Sequence, residues 1–216
     1  RHPELSNREE RTAALVAEHL RRLDFDKVET GIAHTGVVGT LRGAKPGPVI
    51  ALRADMDALP VKEMTGLPFA SEARGEYMGR EVPVMHACGH DAHVAMLMGA
   101  AEVLAQHRKQ LAGTVKFVFQ PAEEGPPPGE DGGAPMMVEE GLLTGPDAPE
   151  AILGLHVWPE DSGSLVYRSG SFMAAADTLD ITVTGRQTHG SSPWLGVDPV
   201  YAAAQIVTAL QGIPGR

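Results

Sequence analysis

The chain has 216 residues, enough to bury a real core as one large domain or two small ones. Its 43% hydrophobic and 21% charged composition argues against wholesale disorder, and no apolar run approaches the roughly 18–20 residues that cross a bilayer. A net charge of −10 argues against nucleic acid and anionic membrane as partners, and the single cysteine, Cys88, excludes an internal disulfide.

The chain opens Arg1-His2-Pro3, without an initiator Met or a signal-peptide pattern. A cytoplasmic location is the default expectation, with a periplasmic or secreted one left open. Ser6-Asn7-Arg8-Glu9 has the form of a capping box, and Leu15, Val16, His19, Leu20 and Leu23 recur at helical spacing. This predicts a helix over residues 7–23. Residues 36–41 read as a short strand, Lys45-Pro46-Gly47-Pro48 as a turn, and Val49-Ile50-Ala51-Leu52 as a buried strand. Residues 60–85, with three prolines and several glycines, read as irregular. A helix is predicted over 92–106, a strand over 115–119, a Pro/Gly loop over 121–135, a short helix over 136–143 and a strand over 151–155.

Strands alternating with helices predict an α/β fold with a mostly parallel central sheet flanked by helices. The pattern shifts after that. Leu179, Ile181 and Val183 alternate with polar residues, as in a half-exposed strand, and Asp198-Pro199 opens an Ala-rich helix to Leu210. A domain boundary is expected near residues 172–177.

Ligand sites in open α/β sheets form beyond the carboxyl ends of the strands. Arg53-Ala54-Asp55-Met56-Asp57 follows one predicted strand, Gln120-Pro121-Ala122-Glu123-Glu124-Gly125 another, and His156 a third. His86-Ala87-Cys88-Gly89-His90-Asp91-Ala92-His93 precedes the long helix. Singly, each has an ordinary explanation. A strand-end Asp caps a turn, paired Glu sit in a solvated loop, a buried Cys is a small hydrophobe, and a lone His is a satisfied polar group. Jointly these explanations become costly, because carboxylates packed on one rim repel one another and raise each other's pKa. A divalent cation removes that conflict.

Thiolate, imidazole and carboxylate together suit Zn²⁺, Mn²⁺, Co²⁺ or Ni²⁺ rather than Ca²⁺ or Mg²⁺, and one thiolate can bridge two ions. Of the adjacent glutamates, one can bind metal while the other stays free to take a proton from water and pass it to a leaving amine. That arrangement predicts metal-assisted hydrolysis of an amide or ester. His86 and His93 are either supports for the ligands or structural. His189, in Thr188-His189-Gly190-Ser191-Ser192-Pro193, reads from spacing alone as a solvated loop residue.

Four ordered motifs resemble the M20 metallopeptidase family, specifically its amidohydrolase branch of hippurate, N-acyl-amino-acid and auxin-conjugate hydrolases. They are Leu52-Arg53-Ala54-Asp55-Met56-Asp57-Ala58-Leu59-Pro60, His86-Ala87-Cys88-Gly89-His90-Asp91, Pro121-Ala122-Glu123-Glu124-Gly125 and Gly154-Leu155-His156. His2-Pro3-Glu4-Leu5-Ser6 is similar to the start of that family's catalytic domain.

The resemblance implies two divalent ions held by Cys88, His90, Glu124 and His156, with Glu123 as general base. It implies that Asp57 supports a metal-binding or catalytic group, and that His189 helps hold the substrate carboxylate or the oxyanion. It implies a zinc-peptidase-like catalytic domain over 1–174 and the start of a smaller α+β lid domain over 175–216, which commonly dimerises. The substrate implied is a small N-acyl amino acid. The family also carries a last His ligand after the lid, and this chain has no counterpart to it. The expectation is therefore the first part of a longer enzyme. Two alternatives are a catalytically incomplete metal- or ligand-binding relative, and a dipeptidase or carboxypeptidase of the same superfamily.

Overall fold

The computed structural model describes residues 1–174 and 179–213. Two compact units emerge, Arg1–Glu160 and Asp161–Arg216. Half of the boundary expected near 172–177, residues 175–177, lies outside the described residues.

The first unit runs α1 (Glu10–Arg22), β1 (Lys27–Ile32), β2 (Gly36–Arg42), β3 (Lys45–Asp55), β4 (Arg74–Tyr77) and β5 (Arg80–Pro83). It continues with α2 (His90–Gln106), β6 (Ala112–Gln120), α3 (Gly133–Glu139) and β7 (Ala151–Gly154). Five strands form one sheet in the order β1-β2-β6-β3-β7. Strand β2 is antiparallel to both its neighbours, while β6, β3 and β7 are mutually parallel, so four of the five strands run one way. This is the mostly parallel α/β sheet expected.

Strand β6 carries Val115 and the apolar run Phe117, Val118 and Phe119, and both its faces are covered. On one face Phe117 and Phe119 pack with Val16 and Leu20 of α1 and Leu97 of α2. On the other face Val118 packs with Ala51, Val38 and Met137 of α3. Two-sided cover of this kind is what makes a parallel strand read as continuously hydrophobic. Truncating a fully buried ring such as Phe117 would cost about 3–5 kcal/mol.

Local expectations fail at four places in the first unit. Helix α1 starts at Glu10, and Ser6 does not cap it. The Glu4 carboxylate does so instead, accepting the N–H groups of Arg11 and Thr12 at 2.9 and 2.8 Å and the Thr12 hydroxyl. Residues 45–48 form no turn but open β3, where the register with β6 is irregular and Gly47 approaches the Gly113 backbone too closely for a Cβ. Within 60–85, β4 and β5 pair as an antiparallel hairpin. Its turn residues Met78 and Gly79 both have positive φ, and Met lacks the turn preference of Asn or Asp, so the hairpin had no sequence signal. The short helix expected over 136–143 begins earlier, at Gly133.

In the second unit, residues 179–183 form no strand. A strand is defined by its hydrogen-bonded neighbour, and among the described residues only an isolated Arg186–Val197 bridge occurs there. The helix α4 (Pro199–Leu210) is as expected, with Asp198 Oδ1 accepting the N–H groups of Val200 and Tyr201.

Candidate metal centre

The carboxyl ends of β3, β6 and β7 lie side by side, and the N-terminus of α2 adds the fourth segment of the rim. Gly89 makes that last placement possible. Its φ is +88°, and a Cβ there would lie 2.3 Å from Val157 Cγ2. The sharp entry puts His90 in the first turn of α2, two residues after Cys88.

His90 is fully buried. Its Nδ1 lies 2.9 Å from the Asp57 carbonyl oxygen and 3.3 Å from Asp57 Oδ1. A carbonyl can only accept, so Nδ1 carries the proton and Nε2 bears a lone pair. Nε2 has no hydrogen-bond partner among the described residues. An unpartnered buried nitrogen is costly unless something electrophilic meets it. Burial works against charging the ring, yet the Asp57 hydrogen bond and the charges of Asp55, Asp57 and Glu123 raise the His90 pKa.

Around this nitrogen stand Glu123 Oε2 at 3.8 Å and Glu124 Oε1 at 3.9 Å. Donor atoms of Cys88, His90 and His156 also lie within 4.8 Å of one another, as do those of His90, Glu123 and Glu124. His90 therefore belongs to both of these overlapping donor triads. His156 donates from Nδ1 to the Val157 carbonyl at 2.6 Å, which leaves its Nε2 facing Cys88 Sγ at 3.3 Å. Burial and the charges of Glu124, Glu123 and Asp55 push the Cys88 thiol up to about 12. Burial raises Glu123 too, reinforced by Asp55 and Glu124 and opposed by Arg53. A site whose thiol and Glu123 carboxyl are hindered in ionising by burial and acidic neighbours, and which also holds a naked imidazole nitrogen, fits a divalent cation.

Asp57 sits behind the donors rather than among them. Its Oδ2 accepts the Ser6 hydroxyl at 2.8 Å and the Glu124 N–H at 3.0 Å, while its Oδ1 faces His90. These partners outweigh the burial penalty and hold its carboxyl below the usual range. Buried His93 has both ring nitrogens engaged, Nδ1 with Asp55 Oδ1 and Nε2 with the Val157 N–H. Asp55, His90 and His93 also come together, but His93 has no nitrogen to spare for a metal. A cleft of about 600 Å³ opens beside Glu123, with Arg53 and Gln120 on its wall. In the second unit, exposed His189 has its Nδ1 2.8 Å from Ser191 Oγ and accepts the Ser191 N–H at 3.2 Å.

The rim thus brings together Cys88, His90, Glu123, Glu124, His156 and Asp57, all singled out from sequence. Two supports were missed. Ser6 reads as a helix cap but serves Asp57. Glu9 reads as part of the same box, yet it is buried and accepts the Thr35 hydroxyl at 2.5 Å and the Ala122 N–H at 2.9 Å, anchoring the loop before Glu123.

Residues 51–213 match the model of peptidase family M20/M25/M40. Thermostable carboxypeptidase 1 of Saccharolobus solfataricus is 45% identical over 217 residues, covering 100% of this chain and 51% of that protein. The N-acyl-L-amino acid amidohydrolase of Geobacillus stearothermophilus is 42% identical, covering 100% of this chain and 54% of that protein. Among solved structures, the Bacillus subtilis YXEP protein, a dinuclear metal binding peptidase from the M20 family, matches with a TM-score of 0.63 and 42% identity. That match covers 74% of this chain and 40% of that one. The chain spans about half the length of the curated relatives it matches.

Proposed function

The chain belongs to peptidase family M20/M25/M40, and on that premise we propose that its protein is a metal-dependent amidohydrolase that cleaves the amide bond of small N-acyl amino acids. The observation that carries the reading is the buried, unpartnered Nε2 of His90 at the centre of the Cys88, His156, Glu123 and Glu124 donors. Cys88, His90, Glu124 and His156 would hold two divalent ions, of zinc, manganese, cobalt or nickel. Such ions lower the pKa of water and polarise a substrate carbonyl.

The chain's own residues supply the proton chemistry. Glu123 is partly open to solvent, its basicity raised by burial and by its acidic neighbours. It takes the proton from attacking water and returns it to the leaving amine nitrogen. Asp57 keeps His90 in the Nδ1–H tautomer, so the opposite nitrogen stays free for metal. His189 would contact the substrate carboxylate or the developing oxyanion, and the 175–216 segment would begin a lid that dimerises.

A second reading, a carboxypeptidase, is favoured by the 45% identity to thermostable carboxypeptidase 1. The test is hydrolysis by the full-length protein of N-acetyl and N-benzoyl amino acids against unblocked peptides, before and after chelation. Chelator-sensitive release of free amino acid from acylated substrates is expected. Preference for peptides would favour the second reading. Turnover unchanged by complete metal removal, or no turnover when metal-saturated, would overturn both.

A further inference from the structure

We infer that Arg53, Asp55 and His93 form a hydrogen-bonded relay that positions His156 through the main chain of Val157, a role that none of the three plays as a metal ligand. The inference rests on the metal-hydrolase reading above, and it concerns residues that reading does not use.

The relay is continuous. Arg53 is held at one end by Gln120, its Nε donating to Oε1 at 3.0 Å. Its Nη1 donates to Asp55 Oδ2 at 2.6 Å. The other carboxylate oxygen, Asp55 Oδ1, lies 2.6 Å from His93 Nδ1, and His93 Nε2 accepts the Val157 N–H at 2.9 Å. Asp55 and His93 are both buried.

The chemistry admits one assignment. A main-chain N–H can only donate, so His93 Nε2 carries a lone pair and Nδ1 carries the proton, which goes to Asp55. Asp55 in turn receives one donor on each oxygen. Every group between the Arg53 guanidinium and the Val157 amide therefore has a fixed direction, set by which atoms can donate.

What the relay holds is specific. Val157 directly follows His156. It is also the residue whose side chain crowds Gly89, at the turn between Cys88 and His90. The His93 ring further meets the His156 ring edge to face, with centroids 4.7 Å apart. One His on the first turn of α2 thus fixes both the backbone and the ring of a donor that lies just after β7. His93 lies three residues after His90 and so shares its helix face. Arg53, Asp55 and His93 are positioning residues.

Asp55→Asn probes the relay with almost no change of shape. An amide offers one acceptor and one donor where two donors arrive. It must therefore oppose either Arg53 or His93, or force His93 into the other tautomer, facing the Val157 N–H with a second donor. The experiment uses the full-length protein with Co²⁺ as the probe. Affinity and the ligand-field spectrum are recorded for wild type, Asp55→Asn, His156→Ala and the double variant. Long-range ¹H–¹⁵N spectra of the metal-free wild type report the His93 tautomer.

We expect the Nδ1–H tautomer at His93, and roughly 10–100-fold weaker Co²⁺ binding in Asp55→Asn with a shifted spectrum. No further loss is expected when Asp55→Asn is added to His156→Ala, because the ligand the relay serves is already gone. An Nε2–H tautomer, wild-type affinity in Asp55→Asn, or a loss undiminished in the His156→Ala background would each overturn the relay while leaving the metal-hydrolase reading standing. A wild-type protein that binds no Co²⁺ would overturn that reading and the relay with it. Should Asp55→Asn fail to fold, His93→Phe carries the same comparison, since it keeps the ring and removes both nitrogens.

Discussion

The Asp57 carboxylate accepts the main-chain N–H of Glu124 at 3.0 Å, so the loop bearing both glutamates is tied to the strand end that orients His90. One residue sets the position of one donor through its Oδ2 and, through its main-chain carbonyl and Oδ1, the tautomer of another. Asp57→Asn keeps the shape but brings an amide donor against either the Glu124 N–H and Ser6 hydroxyl or the His90 Nδ1–H. We expect metal affinity to fall roughly 10–100-fold, measured by competition with a chromogenic chelator. Wild-type affinity would show that Asp57 does not govern the donor set.

Glu123→Gln separates proton transfer from metal binding. The substitution keeps the volume and removes the base. Turnover of an N-acyl amino acid should drop by about 10²–10⁴-fold. Metal content after dialysis, read by elemental analysis, should stay that of wild type. Parallel loss of metal would make Glu123 a ligand instead.

Glu9 gives a pH-dependent prediction away from the donors. Burial raises its folded pKa above the ordinary 4.5, despite the Thr35 and Ala122 hydrogen bonds. The folded protein therefore holds this proton to higher pH than the unfolded chain does. The stability that follows is present below 4.5 and is lost as pH rises through the raised folded value. Glu9→Gln can still accept from Ala122 and donate to Thr35, and it does not titrate. The variant should gain stability relative to wild type as pH rises above 4.5, as read from urea midpoints. A constant difference across that range would contradict the sign.

Gly89→Ala tests the entry into α2. A methyl group there meets Val157 Cγ2, and a φ of +88° strains any L side chain. We expect a stability loss of roughly 1–3 kcal/mol by chemical denaturation. Metal binding should weaken with it, because Cys88 and His90 flank the strained residue. Unchanged stability would mean the turn can relax.

The sheet and the rim were readable in the sequence for one reason, that β3, β6 and β7 each have the rim's polar residues close behind their last residue, at Asp57, at Glu123 and Glu124, and at His156. Apolar run and chemistry are adjacent in the chain, so a period-two pattern and the rule about strand ends locate the donors. The supports were not readable in the same way. Ser6 and Glu9 satisfy a local helix-start pattern, and only the folded structure reveals that a buried carboxylate and a loop amide take those side chains instead. His93 looked like an ordinary first-turn residue because its two partners, Asp55 and Val157, lie 38 and 64 residues away. The β4–β5 hairpin was hidden by a Met at a turn position that usually takes Asn or Asp.

The opening segment of the chain is stitched to distant places. Ser6, Glu9 and Asn7 find their partners 51, 113 and 123 residues later, at Asp57, Ala122 and Glu130. During synthesis at about 5–20 residues per second, these side chains wait several seconds before their acceptors and donors exist. Contacts of such long span also bear the largest loop-closure entropy, so they form late. Residues 6–9 are therefore late to lock, and the rim stays loose until they do.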